Sequence, residues 1–256
     1  MATPDFQRLG GLEWTKRTGG KLTRSERLKL SVAVMRQAAQ VIAGRIRLAQ
    51  GKLPAGAENI DVRDFVPPDS HLACEVEAAC AEQPALLIGH SYRSWIYGLA
   101  LAAVDRTPLD RELFYCAALV HDWGIAVPVP GEDFVIRGAD RALECAWNAN
   151  VDVDLAAQIA DGICGHETPG ATIERDGAIA YYVQHGAMAD VGGIRVWDIA
   201  PHNIENVLKR YPREPDFKRQ AQTIIKNEAI AVPEGRFALL YRYGMARSIA
   251  LAPFDN

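Results

Sequence analysis

Apolar residues recur along this chain mostly at three- and four-residue intervals, the pattern of helices that bury one face. Over residues 28–48 the interval is sustained. Just ahead of it, Thr23-Arg-Ser-Glu26 has the spacing of a capping box, in which a threonine hydroxyl and a glutamate carboxylate satisfy the first free amides. A Pro/Gly-rich passage over 54–68 reads as a linker. The pattern then predicts helices over about 70–82, 89–105, 109–122, 138–148, 151–163, 176–191, 201–210 and 214–229, with a last one near 236–249. The segment 133–137 is the one strand candidate, and it is short enough to be a loop. No internal repeat or low-complexity tract interrupts the series. The expected class is all-α.

Within that pattern, YCAALVHDWGIAV (115–127) stands out, because an apolar run ends in His121 and Asp122 and the chain is apolar again beyond Gly124. An unpaired buried carboxylate is costly, so something should compensate this one. Gly124 is a natural helix stop and puts the pair near the last turn. Adjacent helical residues point about 100° apart, which usually keeps both from serving one centre. At a helix end they can converge on an ion beyond the terminus, where the last carbonyls also favour a cation. The other reading is an aspartate that only orients its histidine or bonds a backbone amide, and the dipeptide alone does not choose.

Two other stretches bear on the choice. GHSYRSW places His90 near the start of a long apolar helix with Arg93 on the same face one turn on. YYVQHGAMADVGG ends a further helix in Asp190, between Ala189 and Val191. Three helices thus bring His90, His121-Asp122 and Asp190 towards the interior.

This order resembles the HD superfamily of metal-dependent phosphohydrolases and related enzymes, whose pattern H…HD…D is matched in turn by His90, His121, Asp122 and Asp190. HSYRSWIYG, ALVHDWG, DFVIRGADRA, ICGHETPG, GAMADVGGIR and YPREPDF are similar to successive segments of its cyanamide-hydratase-like branch, over residues 66–218. The resemblance implies an HD-domain helical bundle with an additional N-terminal helix and C-terminal helices. The corresponding division is a basic extension and linker over 1–65, a metal-binding domain over 66–230 and a C-terminal helix packed on it over 231–256. It also implies His90, His121, Asp122 and Asp190 as ligands of one divalent transition metal. Two imidazoles and two carboxylates suit Zn first, with Fe or Mn as alternatives, and differ from a thiolate-rich structural zinc site. Such an ion makes hydroxide from water near neutral pH. In the branch resembled, that hydroxide adds to a nitrile carbon.

The candidate catalytic residues are His166, Asp122 and Arg93. His166, in GICGHETPG, is expected just beyond a helix. Donating a proton to the developing nitrogen anion is its favoured role, against ligation of a second metal or a surface position. Arg93 either meets an anionic group or braces Asp122 or Asp190 from behind. Arg137 and Arg141 are further candidate substrate contacts, with solvated faces as the default. His185 suggests a dinuclear centre, but five helical residues turn about 500° and leave it some 140° from Asp190 unless the helix breaks, for instance at Gly186. Cys164 beside His166 lacks the surroundings that activate a thiol.

Three functions compete: a metal-dependent hydratase or hydrolase of a small polar molecule such as a nitrile or cyanamide, a phosphohydrolase of nucleotides or other phosphate esters, and a non-catalytic ligand-binding module. A phosphate site wants convergent cations, yet no lysine falls between Lys52 and Lys209. That favours the hydratase.

Bulk composition narrows the partners. The chain has 256 residues and a net charge of −4, but residues 1–52 hold eleven Lys/Arg against three Asp/Glu. The basic front either meets nucleic acid or an anionic membrane, or docks on the acidic body or a second subunit. No recognition motif accompanies it, so nucleic acid is disfavoured and a homo-oligomer stays open. No stretch is long and apolar enough for a membrane span, and the first residues lack the apolar core of a signal peptide. The five cysteines form no CxxC pair, which fits free thiols in a reducing cytoplasm. The expected partner is a small-molecule substrate.

Overall fold

The computed structural model describes residues 5–254. Among them it contains twelve α-helices, three short 3₁₀ turns and no strand beyond an isolated bridge between Val129 and Glu132. The helices are α1 (Leu12–Thr18), α2 (Arg24–Ala49), α3 (His71–Ala81), α4 (Ala85–Val104), α5 (Arg111–Val120) and α6 (Phe134–Asn148). They continue as α7 (Val153–His166), α8 (Ile173–Gly192), α9 (Pro201–Arg210), α10 (Phe217–Ala231), α11 (Arg236–Arg242) and α12 (Met245–Ala250).

Local chemistry explains most boundaries. Thr23 and Glu26 form the reciprocal capping box that opens α2. Asp110 accepts from the amides of Glu112 and Leu113 to start α5, and Asp133 accepts from Val135 to start α6. The segment 133–137 is therefore the cap and first turn of a helix, neither strand nor loop. The expected last helix over 236–249 is two helices, divided at Gly244, whose φ of +90° belongs to the left-handed region. The passage over 54–68 holds two of the 3₁₀ turns, and α1 lies ahead of every helix the sequence pattern predicted.

At the centre α4, α5, α7 and α8 pack together, and their side chains supply most of the core. Leu119, Val120, Leu101, Ile163 and Val183 have no exposed surface. α4 and α8 lie unusually close, because small residues face one another: a Cβ on Gly186 would fall 2.1 Å from the Ser94 carbonyl oxygen. The N-terminal segment is packed on this body. Arg8 is buried between Asp161, at 2.8 Å, and Asp176, at 3.0 Å. All five cysteines are free, and only Cys74 is exposed. No helix among the described residues is long and apolar enough to cross a membrane.

Candidate metal centre

His90 sits in the second turn of α4, His121 caps the end of α5, and Asp122 follows it in the turn leading to Gly124. His166 is the last residue of α7, so it belongs to a helix end and not to the loop expected beyond it. Helix ends thus bring all of these groups to one place, with Asp122 in the middle. One Asp122 oxygen lies 3.4 Å from His90 Nε2, and the other lies 3.5 Å from His121 Nε2 and 3.8 Å from His166 Nε2. His90, His121 and Asp122 each offer one ligand atom, and the three atoms lie within 4.8 Å of one another.

The tautomers follow from the outer nitrogens. His121 Nδ1 is 2.7 Å from the Ala118 carbonyl oxygen and donates to it, so Nε2 carries a lone pair. That Nε2 is buried and has no hydrogen-bond partner. His166 Nδ1 likewise donates to the Ile163 carbonyl, at 2.5 Å, and turns its own Nε2 lone pair inward. The lone pairs of His121 and His166 therefore both face the Asp122 carboxylate, and His90 Nε2, 3.4 Å from its other oxygen, is the one group placed to donate into the set. A cation bound among them would relieve the repulsion between the inward lone pairs and the carboxylate.

Electrostatics agree. Burial pushes the His166 imidazole down to about 3, with His121 beside it adding to the effect, and the ring is neutral at ordinary pH. Burial also lowers His121. Burial opposes ionisation of Asp122, but the adjacent His121 and His90 outweigh it and hold the carboxyl well below its usual range. His90 differs: burial alone would lower it, whereas Asp122 and Asp190 on its two sides raise it to about 9.

Asp190 stands behind His90, outside the three-atom group. Its Oδ2 is 2.7 Å from His90 Nδ1, and Arg93 grips the same carboxylate with Nε at 2.8 Å from Oδ1 and a terminal nitrogen 3.1 Å from Oδ2. Arg93 thus braces Asp190, the second of the two positions anticipated for it. Arg213 joins from the other side, 2.9 Å from Oδ1, and also donates to the Asp190 carbonyl. Burial opposes this charge, but the guanidiniums, Arg93 foremost, keep Asp190 ionised.

Two participants were not anticipated. Arg213, in YPREPDF, comes from 23 residues away and has no sequence signal beyond that segment. Gln184 donates to the His166 and Thr168 carbonyls and so fixes the end of α7. Glu167, next to His166, is fully buried and paired with the equally buried Arg236 at 3.0 Å. Other candidates lie elsewhere. His185 bonds the Tyr181 carbonyl and rests against the Tyr181 ring, away from the centre. Arg137 pairs with Glu132, and Arg141 with Glu82 and Glu144. Burial pushes the Cys164 thiol up, which removes it as a nucleophile.

His90, Asp122, His166 and Glu167 open onto a cavity otherwise walled mainly by apolar side chains, among them Leu87, Met188, Val191 and Phe237. No lysine or arginine is among the residues that line it. No protein-family model matches the chain, and no curated protein matches it.

Proposed function

We propose that the chain holds one divalent transition metal on His90, His121 and Asp122 and adds water to a small uncharged substrate of the nitrile or cyanamide kind. In this reading the protein is an HD-type metal enzyme of the cyanamide-hydratase-like branch that its sequence resembles. One observation carries the proposal: metal-ligand atoms gather within 4.8 Å of one another beside a small cavity that no lysine or arginine lines.

The donor set fits such an ion. Imidazole nitrogens with a carboxylate oxygen suit Zn, and Fe or Mn next. The unpartnered Nε2 of His121 lacks only an acceptor of its lone pair. When bound, the ion would lower the pKa of a water into the neutral range. His90 is held in place from behind, as metal-binding histidines usually are, by Asp190 with Arg93 and Arg213. As placed, Asp190 acts through His90, and direct ligation by it would require Oδ2 to leave Nδ1. The neutral His166 with its inward lone pair is set to take a proton at Nε2 before it can give one to a substrate nitrogen.

Size and charge separate this reading from a phosphohydrolase. The cavity is narrow and mainly apolar where it meets the centre, which suits a compact uncharged substrate better than a nucleotide. Beyond the proposed metal and His90, a phosphate would find no lysine or arginine in the lining to pair with.

The test begins with metal analysis of freshly purified protein and of the His121→Ala variant. We expect about one metal ion per chain in the parent. The variant should lose at least about 100-fold in metal affinity, beyond the usual effect of a ligand's supporting residue, with helical circular dichroism retained. The parent should turn cyanamide or a simple nitrile into a urea or amide, and the variant should not. Full metal occupancy in the variant contradicts the assignment. Phosphate release from nucleotides with nitriles untouched would transfer the site to the phosphohydrolase reading, and a metal-free parent would favour a ligand-binding module.

A further inference from the structure

Helix α2 carries apolar residues on two opposite faces. One face turns inward: Leu30 and Gly44 are buried, a Cβ on Gly44 would fall 2.1 Å from the Trp197 ring, and Gln37 lines the cavity beside the candidate metal centre. The other face lies about 160° round the helix and is largely exposed. It consists of Leu28, Val32, Met35, Ala39, Ile42, Ile46 and Ala49, spaced alternately four and three residues apart. Leu28 is 68% exposed, Met35 55%, Ile42 64% and Ile46 54%. That alternation is the narrow seam of a coiled coil, sustained for about 32 Å along the helix. No aromatic residue occurs on α2, whereas helices that lie in a bilayer surface usually carry Trp or Phe on the apolar side.

We propose that this seam pairs with α2 of a second copy of the chain, antiparallel, about a two-fold axis passing between Gln40 and Val41. In that register Ala39 meets Ile42, Met35 meets Ile46 and Val32 meets Ala49 of the second copy, so small residues face large or medium ones. The cations beside the seam, Lys29, Arg36 and Arg45, face Gln50, Ala43 and Ala38. None of these three has a carboxylate partner among the described residues. Sliding the pair by one heptad sets Arg36 against Arg36. Parallel pairing sets Ala39 against Ala39, which leaves a gap, and Arg24 against Lys29. Charge therefore selects one arrangement of the same apolar surface, as flanking charges do in coiled coils. A two-fold contact of this kind is self-complementary and closed. It would place two of the helices that wall the cavities back to back.

Sedimentation equilibrium of the full chain tests the pairing without reference to metal or substrate. We expect a monomer–dimer equilibrium that tightens with added salt, because the basic helices repel at long range. The double variant Met35→Glu/Ile42→Glu should be monomeric, with thermal unfolding of the monomer little changed because both side chains are more than half exposed. Ala38→Glu should tighten the dimer about fivefold, since each new carboxylate faces Arg45 of the other copy. A chain that stays monomeric at about 100 µM overturns the proposal, and so does a dimer that survives the double variant. Weakening by Ala38→Glu overturns this register. Salt-sensitive binding to vesicles of anionic phospholipid by a monomeric chain would assign the seam to a membrane surface instead.

Discussion

Glu228 is almost wholly buried; its Oε1 accepts the Phe134 amide at 3.2 Å, and its Oε2 has no partner. Burial, and then the nearby Asp133 carboxylate, push it up to about 7. Between about pH 4.5 and 7 the fold therefore keeps a proton that the unfolded chain has released. Stability falls as pH rises through that window, by up to about 3 kcal/mol in all. Glu228→Gln keeps the accepting oxygen and removes the ionisation. It should stabilise the protein by about 2–3 kcal/mol at pH 8 and much less at pH 5, as read by urea unfolding at both. An equal effect at the two pH values would show that no buried titration is involved. Such residues were silent in the sequence. Glu228 sits in a stretch of mixed polarity, KNEAIA, and only the fold sets it beside Asp133. His121 and Asp122 were legible because their flanks are apolar on both sides, so their burial followed from composition alone. Arg213 was not, because an arginine between prolines reads as surface until Asp190 is placed beside it.

Among the elements, those with sustained apolar spacing matched the pattern closely. The helix expected over 201–210 is α9, Pro201–Arg210, and that over 70–82 is α3, His71–Ala81. Misses occurred where a cap or a glycine decided the outcome. Asp133 starts α6 four residues before its amphipathic pattern becomes evident, and Gly244 divides the last helix. Gly186 is a third case. A break there was one way to bring His185 and Asp190 together, yet α8 runs through it, and its non-helical residue is Gly177. Gly186 instead lets α8 approach α4, with the position of its missing Cβ only 2.1 Å from the Ser94 carbonyl oxygen. That approach brings Asp190 on one helix against His90 on the other. In an ordinary helix Gly→Ala gains about 1 kcal/mol. Here Gly186→Ala must part the helices, and we expect a net loss of about 1–3 kcal/mol from overpacking. Metal affinity should fall about tenfold as His90 loses its support. Urea unfolding and zinc titration measure the two effects, and a stabilised variant would show that the close approach is not needed.

At the scale of the molecule, the basic N-terminal segment is the part whose partner the sequence left open. Docking on the acidic body was one of the alternatives, and Arg8 takes that course. Its guanidinium lies between two buried carboxylates from different helices, Asp161 of α7 and Asp176 of α8, and Asp161 also accepts the Leu12 amide that opens α1. Charge count hinted at the attraction but gave no pairing, because the partners lie 153 and 168 residues away. A buried arrangement of this kind contributes little over an apolar replacement, but breaking it from one side leaves charges without a partner. Arg8→Ala should therefore cost about 3–5 kcal/mol, since two aspartates remain buried with one cation fewer between them. Asp161→Asn in the same background should recover part of the loss, because it removes one of the stranded charges while keeping an oxygen for Leu12. Denaturant unfolding of the two single variants and the double variant isolates the coupling. Strict additivity would mean that the N-terminal segment is held by the packing of Leu12 and Trp14 alone, and that its charge is incidental to its place in the fold.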